Sequence, residues 1–244
     1  MTVEALDPSR RRAVLRQAWS VGVATGAYGV SFGALSVAAG LNLWQTQALS
    51  ALMFTGGSQF AFVGIIATGV AAAPSAVATA ALLGIRNGLY GLQTSQVLGV
   101  RGMRRIVAAH LTIDESTAVG VTQPEVAAKR AGFWHTGVAV FVFWNAMTLA
   151  GALLGNALGD PKRYGLDAAA AGAFCALLWP RLHSLDSLAT AGVAVVLALV
   201  LLPFVPAGVP VLVASLAAVA VGLRRGGRHE APLPPEAPGS DPTP

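Results

Sequence analysis

The sequence predicts an all-α fold, a polytopic bundle of transmembrane helices, and three observations predict it. Hydrophobic residues make up 55% of the 244 residues and charged ones only 11%, where a typical soluble domain carries about 25% charged residues. The apolar residues fall in about seven long runs, each near the roughly 20 residues a helix needs to cross a hydrocarbon core of about 30 Å. The runs are also too long and too unpatterned for barrel strands, which alternate apolar and polar over about ten residues. Lipid offers the backbone no hydrogen-bond partners, so runs of this length must close on themselves as helices.

Taken in order, the apolar runs span approximately 18–41, 46–70, 75–98, 133–158, 165–180, 187–203 and 207–223. The first follows a basic cluster, Arg10, Arg11, Arg12 and Arg16, and carries two glycine pairs at four-residue spacing, Gly22 with Gly26 and Gly29 with Gly33. Such pairs let helix backbones approach closely where lipid removes the hydrophobic drive between helices. Gly84 with Gly88 in the third run and Gly151 with Gly155 in the fourth repeat the pattern, and all four pairs read as packing contacts. Asn145 and Asn156 in the fourth run are expected to hydrogen-bond between helices. Past Leu223 the composition turns polar and proline-rich and cannot bury enough apolar surface to order itself. The chain therefore divides into a basic segment 1–17, a transmembrane domain 18–223 and a disordered tail 224–244.

The second run is interrupted by "FTGGSQF", residues 54–60. Gly56 and Gly57 split it into halves of about ten residues, each too short to span alone. Unwound backbone at membrane depth is tolerated only where it is buried in protein or lines a polar cavity, and discontinuous helices of this kind form solute sites in many transporters. The expectation is a break at Gly56–Gly57, with freed backbone groups, Ser58 and Gln59 turned to a small solute. The competing reading is one more packing notch in a continuous helix, with Gln59 bonded to a neighbour.

Charge placement excludes some functions and orients the chain. The net charge is +5, but the basic residues sit at segment ends and not on one soluble face, so the chain is matched to a lipid bilayer and not to nucleic acid. Basic residues before the first run and after the last place both termini in the cytoplasm. Seven crossings cannot do that. Parity returns if the second segment enters and leaves on one side, which also brings Arg101, Arg104, Arg105, Lys129 and Arg130 inside. A competing topology keeps that segment as a crossing and makes 104–123 an eighth, polar one. The N-terminus shows no cleavable signal peptide. One cysteine, no phosphate-binding G-x-x-x-x-G-K-[ST] loop and no H-E-x-x-H pair leave no disulfide, no ATP hydrolysis and no zinc chemistry to expect. No nucleophile and base stand at helical spacing, so the chain is not read as an enzyme, and neither a cofactor nor a metal site is expected.

Four further residues could carry chemistry inside the bundle. Arg86, in "LLGIRNGLYG", is the formal charge within the third apolar run, and such a charge costs about 2.5–3.5 kcal/mol on insertion scales unless a cavity or counter-ion receives it. Its natural counter-charges are Asp114 and Glu115 in "HLTIDESTAVGV". His110 and Asp114, four apart, would share one face of a helix, where a carboxylate beside an imidazole suits a proton relay. The alternative is a polar cytoplasmic loop with solvated acids.

Together, "GVSFGALSVAAGLNLWQTQALSALMFTGGSQFAFVGIIATG", "IRNGLYGLQTSQVLG" and "HLTIDESTAVGV" resemble the AzlC-type branched-chain amino acid exporter subunits, the larger component of the LIV-E exporters. The resemblance covers most of residues 18–160. The family's G-x-Q-F-like, R-H-x-L-Y-like and D-E elements fall on Gly57 to Phe60, Arg86 to Tyr90, and Asp114 with Glu115; Asn87 departs from the histidine often found after the arginine. The resemblance implies a secondary transporter in the bacterial cytoplasmic membrane that exports branched-chain and other apolar amino acids. It also implies a small AzlD-type membrane subunit as partner. Combined with the residue reading, it assigns Gly56, Gly57, Ser58, Gln59, Phe60, Arg86 and Tyr90 to substrate binding, and His110, Asp114 and Glu115 to proton coupling. Two rival readings are a non-transporting scaffold whose polar residues serve assembly, and the permease of an ATP-driven system that docks an ATPase on 99–132.

Overall fold

The computed structural model describes residues 6–158, 175, 178, 179, 182–206 and 208–226. Its elements are helices: α1 (Pro8–Ala38), α2 (Leu43–Leu52), α3 (Gly57–Ile66), a 3-10 turn (Val70–Ala72), α4 (Ala73–Leu98), α5 (Met103–His110), α6 (Asp114–Val121), α7 (Val126–Leu158), and near the C-terminus α8 (Leu185–Leu201) and α9 (Val209–Gly226). The all-α bundle expected from the sequence is the one observed. By length and composition, Pro8–Ala38, Val70–Leu98 and Val126–Ala157 can each cross a membrane. The expected helix at 165–180 and the tail beyond Gly226 fall largely outside the described residues.

α1 begins ten residues before its apolar run, because Asp7 caps it: the Asp7 carboxylate accepts from the amides of Ser9 and Arg10, and Pro8 occupies the first turn where no amide is needed. The Ser9 hydroxyl first, and then the Arg10 amide, hold the Asp7 carboxyl below its ordinary range. The basic cluster at Arg10–Arg16 is therefore helical.

The bundle is organised on α1 packed along α7, its most extensive helix pair. The glycines explain the closeness. A Cβ placed on Gly33 would lie 2.0 Å from the Thr148 carbonyl oxygen, and one on Gly151 2.0 Å from that of Val30, so backbone touches backbone. Gly22 faces Ala139, Gly26 faces Phe143 and Gly155 faces Ala34. Residue numbers rise together along both helices, so α1 and α7 run parallel. α4 runs the other way: the Arg130 guanidinium, near the start of α7, donates to the Val97 carbonyl at the end of α4 at 2.9 Å. Of the expected Gly84–Gly88 contact only half is made: the Ser58 hydroxyl of α3 lies 3.9 Å from a Cβ on Gly84, and among the described residues nothing lies within 4 Å of one on Gly88. Asn145 likewise bonds the Phe141 carbonyl of its own helix at 2.8 Å, and it is the Asn145 backbone carbonyl that receives the Gln47 amide from α2 at 3.0 Å.

Two pairs of short helices, α2–α3 and α5–α6, connect these long helices; α6 packs on α7 and α4, whereas α5 lies at the surface with Met103, Ile106 and Val107 exposed. α2 starts four residues beyond the end of α1, and by Phe54 the chain has reached the level of Phe141, whose ring it meets at 5.1 Å. α3 then returns toward the start of α4, since Gly208 sits beside both Ile65 and Ser75. α5 and α6 enter from the opposite end: α6 descends against α7 with Leu111 at Gly137 and Val119 at Gly132, and Gln123 finishes beside Gln17 near the start of α1 at 3.0 Å. The stretch between α4 and α7 is thus folded into two short helices rather than an irregular loop.

The α1–α7 seam makes a direct forecast. Gly33→Ala or Gly151→Ala should destabilise the protein by at least about 1–3 kcal/mol, the usual cost of overpacking. Gly88→Ala, with open space around it, should stay within about 0.5 kcal/mol. Thermal unfolding of the three variants in detergent micelles gives the comparison.

Candidate functional site

The sequence signal "FTGGSQF" marks a real interruption. α2 ends at Leu52, α3 begins at Gly57, and Gly56 between them takes φ +58°, a left-handed conformation that costs a residue with a Cβ about 1–2 kcal/mol. A break inside a bundle leaves carbonyls at the end of one half-helix and amides at the start of the next without partners. Gln59 supplies several of them. It is fully buried at 0% exposure; its Oε1 accepts from the Gly56 amide at 3.0 Å, while its Nε2 donates to the carbonyls of Leu49 at 2.9 Å and Ser50 at 3.4 Å. Gln59 therefore ties the two halves of the hairpin together, and its polar atoms are committed to backbone.

The second hairpin uses the same device. Between α5 and α6, the Ser116 hydroxyl accepts from the Ile113 amide at 3.1 Å and donates to the Leu111 carbonyl at 2.6 Å. Each fastener stands four residues after a threonine, Thr55 before Gln59 and Thr112 before Ser116. This break also corrects the expected His110–Asp114 pair: α5 ends at His110 and α6 begins at Asp114, so the two share no helix face. The His110 ring packs instead against Phe54 at 5.8 Å and Phe141 at 5.6 Å.

One guanidinium joins the two breaks. Arg86, from the middle of α4, places Nη2 3.0 Å from Asp114 Oδ2 and 3.2 Å from the Thr55 carbonyl oxygen. Among the described residues this is the only salt bridge, and both partners are mostly buried, with side chains 26% and 21% exposed. The counter-charge expected for Arg86 is thus found, and it sits on the opposite hairpin.

Where the breaks meet, a cavity of about 150 Å³ opens. Its polar lining comes from Thr25, Tyr28, Asp114 and Glu115, its apolar lining from Phe54, Phe60, Ile113, Val140 and Trp144, and Thr55, Gly56 and Gly57 complete it. The aromatic wall is locked by edge-on contacts of Phe60 with Phe32 at 5.6 Å and with Trp144 at 6.1 Å. Of the residues picked from sequence, Gly56, Gly57, Phe60, Asp114 and Glu115 line the cavity; Arg86 stands behind Asp114, Ser58 is buried toward Gly84, and Tyr90 lies one turn further along α4. Thr25, Tyr28, Val140 and Trp144 were not singled out. Their only signal was position: Thr25 and Tyr28 flank Gly26 and Gly29 on the packing stripe of α1.

Two broken helices that meet at a small cavity lined by carboxylates and aromatic rings, in a bundle whose long helices are apolar enough to cross a membrane, define a polytopic membrane protein. The particular family follows from the sequence: residues 20–158, more than half of the chain, match the family described as AzlC protein, and the chain belongs to that family. The family is associated with branched-chain amino acid transport. No curated protein and no solved structure matches the chain significantly.

Two outcomes follow from the fasteners. Gln59→Leu, close in size but without the amide, should cost about 1–3 kcal/mol for each buried backbone group it strands, and amide hydrogen exchange should accelerate first in α2 and α3. Arg86→Gln should destabilise by about 3 kcal/mol by leaving the Asp114 carboxylate without its cation; adding Asp114→Asn should recover part of that loss in a double-mutant cycle read by thermal unfolding.

Proposed function

We propose that this chain is the transporting subunit of a secondary exporter of branched-chain and other apolar amino acids in the bacterial cytoplasmic membrane. The observation that carries the reading is the cavity at the meeting of two half-helix breaks. Irregular backbone within a bundle of this apolarity is expected where it lines a solute site, and a space of about 150 Å³ holds a guest of benzene's bulk, comparable to a branched aliphatic side chain. The aromatic rings suit that side chain, and the polar lining suits the amino acid head. A pure scaffold would have no reason to keep carboxylates beside an apolar cavity.

Coupling is assigned to protons through the adjacent carboxylates Asp114 and Glu115. The end of the bundle that holds the start of α1, the end of α4 and the start of α7 carries the basic residues Arg10 to Arg16, Arg101 to Arg105, Lys129 and Arg130, and this end is assigned to the cytoplasm. The partner is a small AzlD-type membrane subunit. The face of α4 with Gly88 and Gly91, around which nothing packs among the described residues, is where a further helix would fit.

The test is efflux of labelled valine from proteoliposomes holding the chain with its partner subunit. Efflux should require an inward proton gradient, collapse when a protonophore dissipates it, and fall at least tenfold in Arg86→Ala. ATP-independent flux that persists without any gradient would remove the coupling, and no flux of valine, leucine, isoleucine or methionine would remove the transport reading.

A further inference from the structure

Two half-helices open their N-termini on the same cavity, and they differ in charge. α6 begins with its own acids, Asp114 and Glu115, whereas the first turn of α3 carries none. An uncompensated helix N-terminus attracts an anion through its free amides and its dipole. At α3 the amides of Gly57 and Ser58 precede the first intrahelical donor, since Gln59 and Phe60 are the first to bond back, both to the Gly56 carbonyl. Gly56 lacks a side chain over this point, and a Cβ there would meet nothing within 4 Å, so a guest reaches the backbone unobstructed.

The acids across the cavity are not equivalent either. Asp114 is held by Arg86 at 3.0 Å, while Glu115 has no salt-bridge partner among the described residues and lines the cavity together with Thr25. Glu115 is the carboxylate left to attract a cation, and Thr25 and Tyr28 add hydroxyls beside it. Trp144 closes the apolar side of the cavity at 3% exposure, with its ring packed against Phe60 and Phe32.

We propose that the cavity binds its amino acid as a zwitterion in a single orientation, with the ammonium at Glu115, the carboxylate at the amides opening α3, and the side chain among Phe54, Phe60, Val140 and Trp144. In this arrangement Arg86 is a positioning residue, occupied by Asp114 and Thr55, and not the carboxylate ligand that its charge alone suggests. Glu115 becomes the specificity-determining residue, because it separates amino acids from the fatty acids and amines that share their side chains. The inference rests on the transport reading for the identity of the guest.

Calorimetric titration of the purified full-length chain in lipid nanodiscs tests it with three ligands: L-valine, 3-methylbutanoate, which lacks only the ammonium, and isobutylamine, which lacks only the carboxylate. Each truncated ligand should bind at least tenfold more weakly than valine. Glu115→Gln should weaken valine at least tenfold and 3-methylbutanoate less than twofold, an asymmetry that general damage to the fold would not produce. Wild-type protein that binds 3-methylbutanoate as tightly as valine would overturn the orientation while leaving transport intact, and so would a Glu115→Gln variant that weakens both ligands equally. Absence of binding by valine, leucine, isoleucine and methionine would instead overturn the transport reading and this inference with it.

Discussion

A helix that stops halfway through an apolar bundle leaves amides and carbonyls that neither lipid nor aliphatic side chains can satisfy, and the architecture of this protein is arranged around that constraint. Each interruption is spanned by one polar side chain placed in the first turn of the second half-helix, Gln59 in one hairpin and Ser116 in the other. Glutamine is long enough to reach back across a gap of four residues and bond Leu49. Serine is short and serves a gap of three, from Leu111 to Ile113. The length of the side chain matches the length of the break. Without these contacts the stranded groups would favour either a continuous helix or open water, and neither leaves a dry, shaped cavity.

Arg86 adds a second layer. A guanidinium can donate in several directions in one plane, and here it reaches the Thr55 carbonyl on one hairpin and Asp114 on the other. The same contact that neutralises a charge inside the bundle therefore fixes the separation of the two breaks, and with it the width of the cavity. The seam of glycines between α1 and α7 supports this from behind: backbone contact there sets the depth of Thr25 and Tyr28 against Val140 and Trp144.

Much of this was legible in the chain, for reasons that can be named. The double glycine announced the first break because glycine mid-run is costly unless its conformation is used, and Gly56 does use it, at φ +58°. Arg86 and its carboxylate were legible because a lone charge in an apolar run demands a partner. The second break was not, since "HLTIDEST" contains no glycine or proline and its helical spacing placed His110 and Asp114 on one face; the interruption there is imposed by Ser116 and by packing against α7, which no local pattern encodes. Gln59 was read as facing a solute because composition reveals that a polar group is present but not which neighbour consumes it. Gly88 of the Gly84–Gly88 pair misled for the converse reason: spacing defines a notch, and only a partner helix makes it a contact.

The opposite entry of the two hairpins has a mechanical consequence for any solute held between them. On the transport reading, the solute is held where the α2–α3 break meets the α5–α6 break, so two different pieces of chain border it. The α2–α3 hairpin is held to α7 by side-chain hydrogen bonds, Ser50 to Thr148 at 3.3 Å and Gln47 to the Asn145 carbonyl at 3.0 Å, whereas α6 meets α7 closely at Gly120 and Gly132. The parallel pair α1 and α7 is held by backbone contact, where sliding by one residue would drive carbonyl oxygens into Cα atoms. Side-chain bonds can exchange one at a time with small motions, whereas a glycine seam must separate before it can shift. The fold therefore divides between α1, α6 and α7, packed through glycines, and the α2–α3 hairpin, held to α7 by side-chain hydrogen bonds, with Arg86 joining the two through Asp114 and the Thr55 carbonyl.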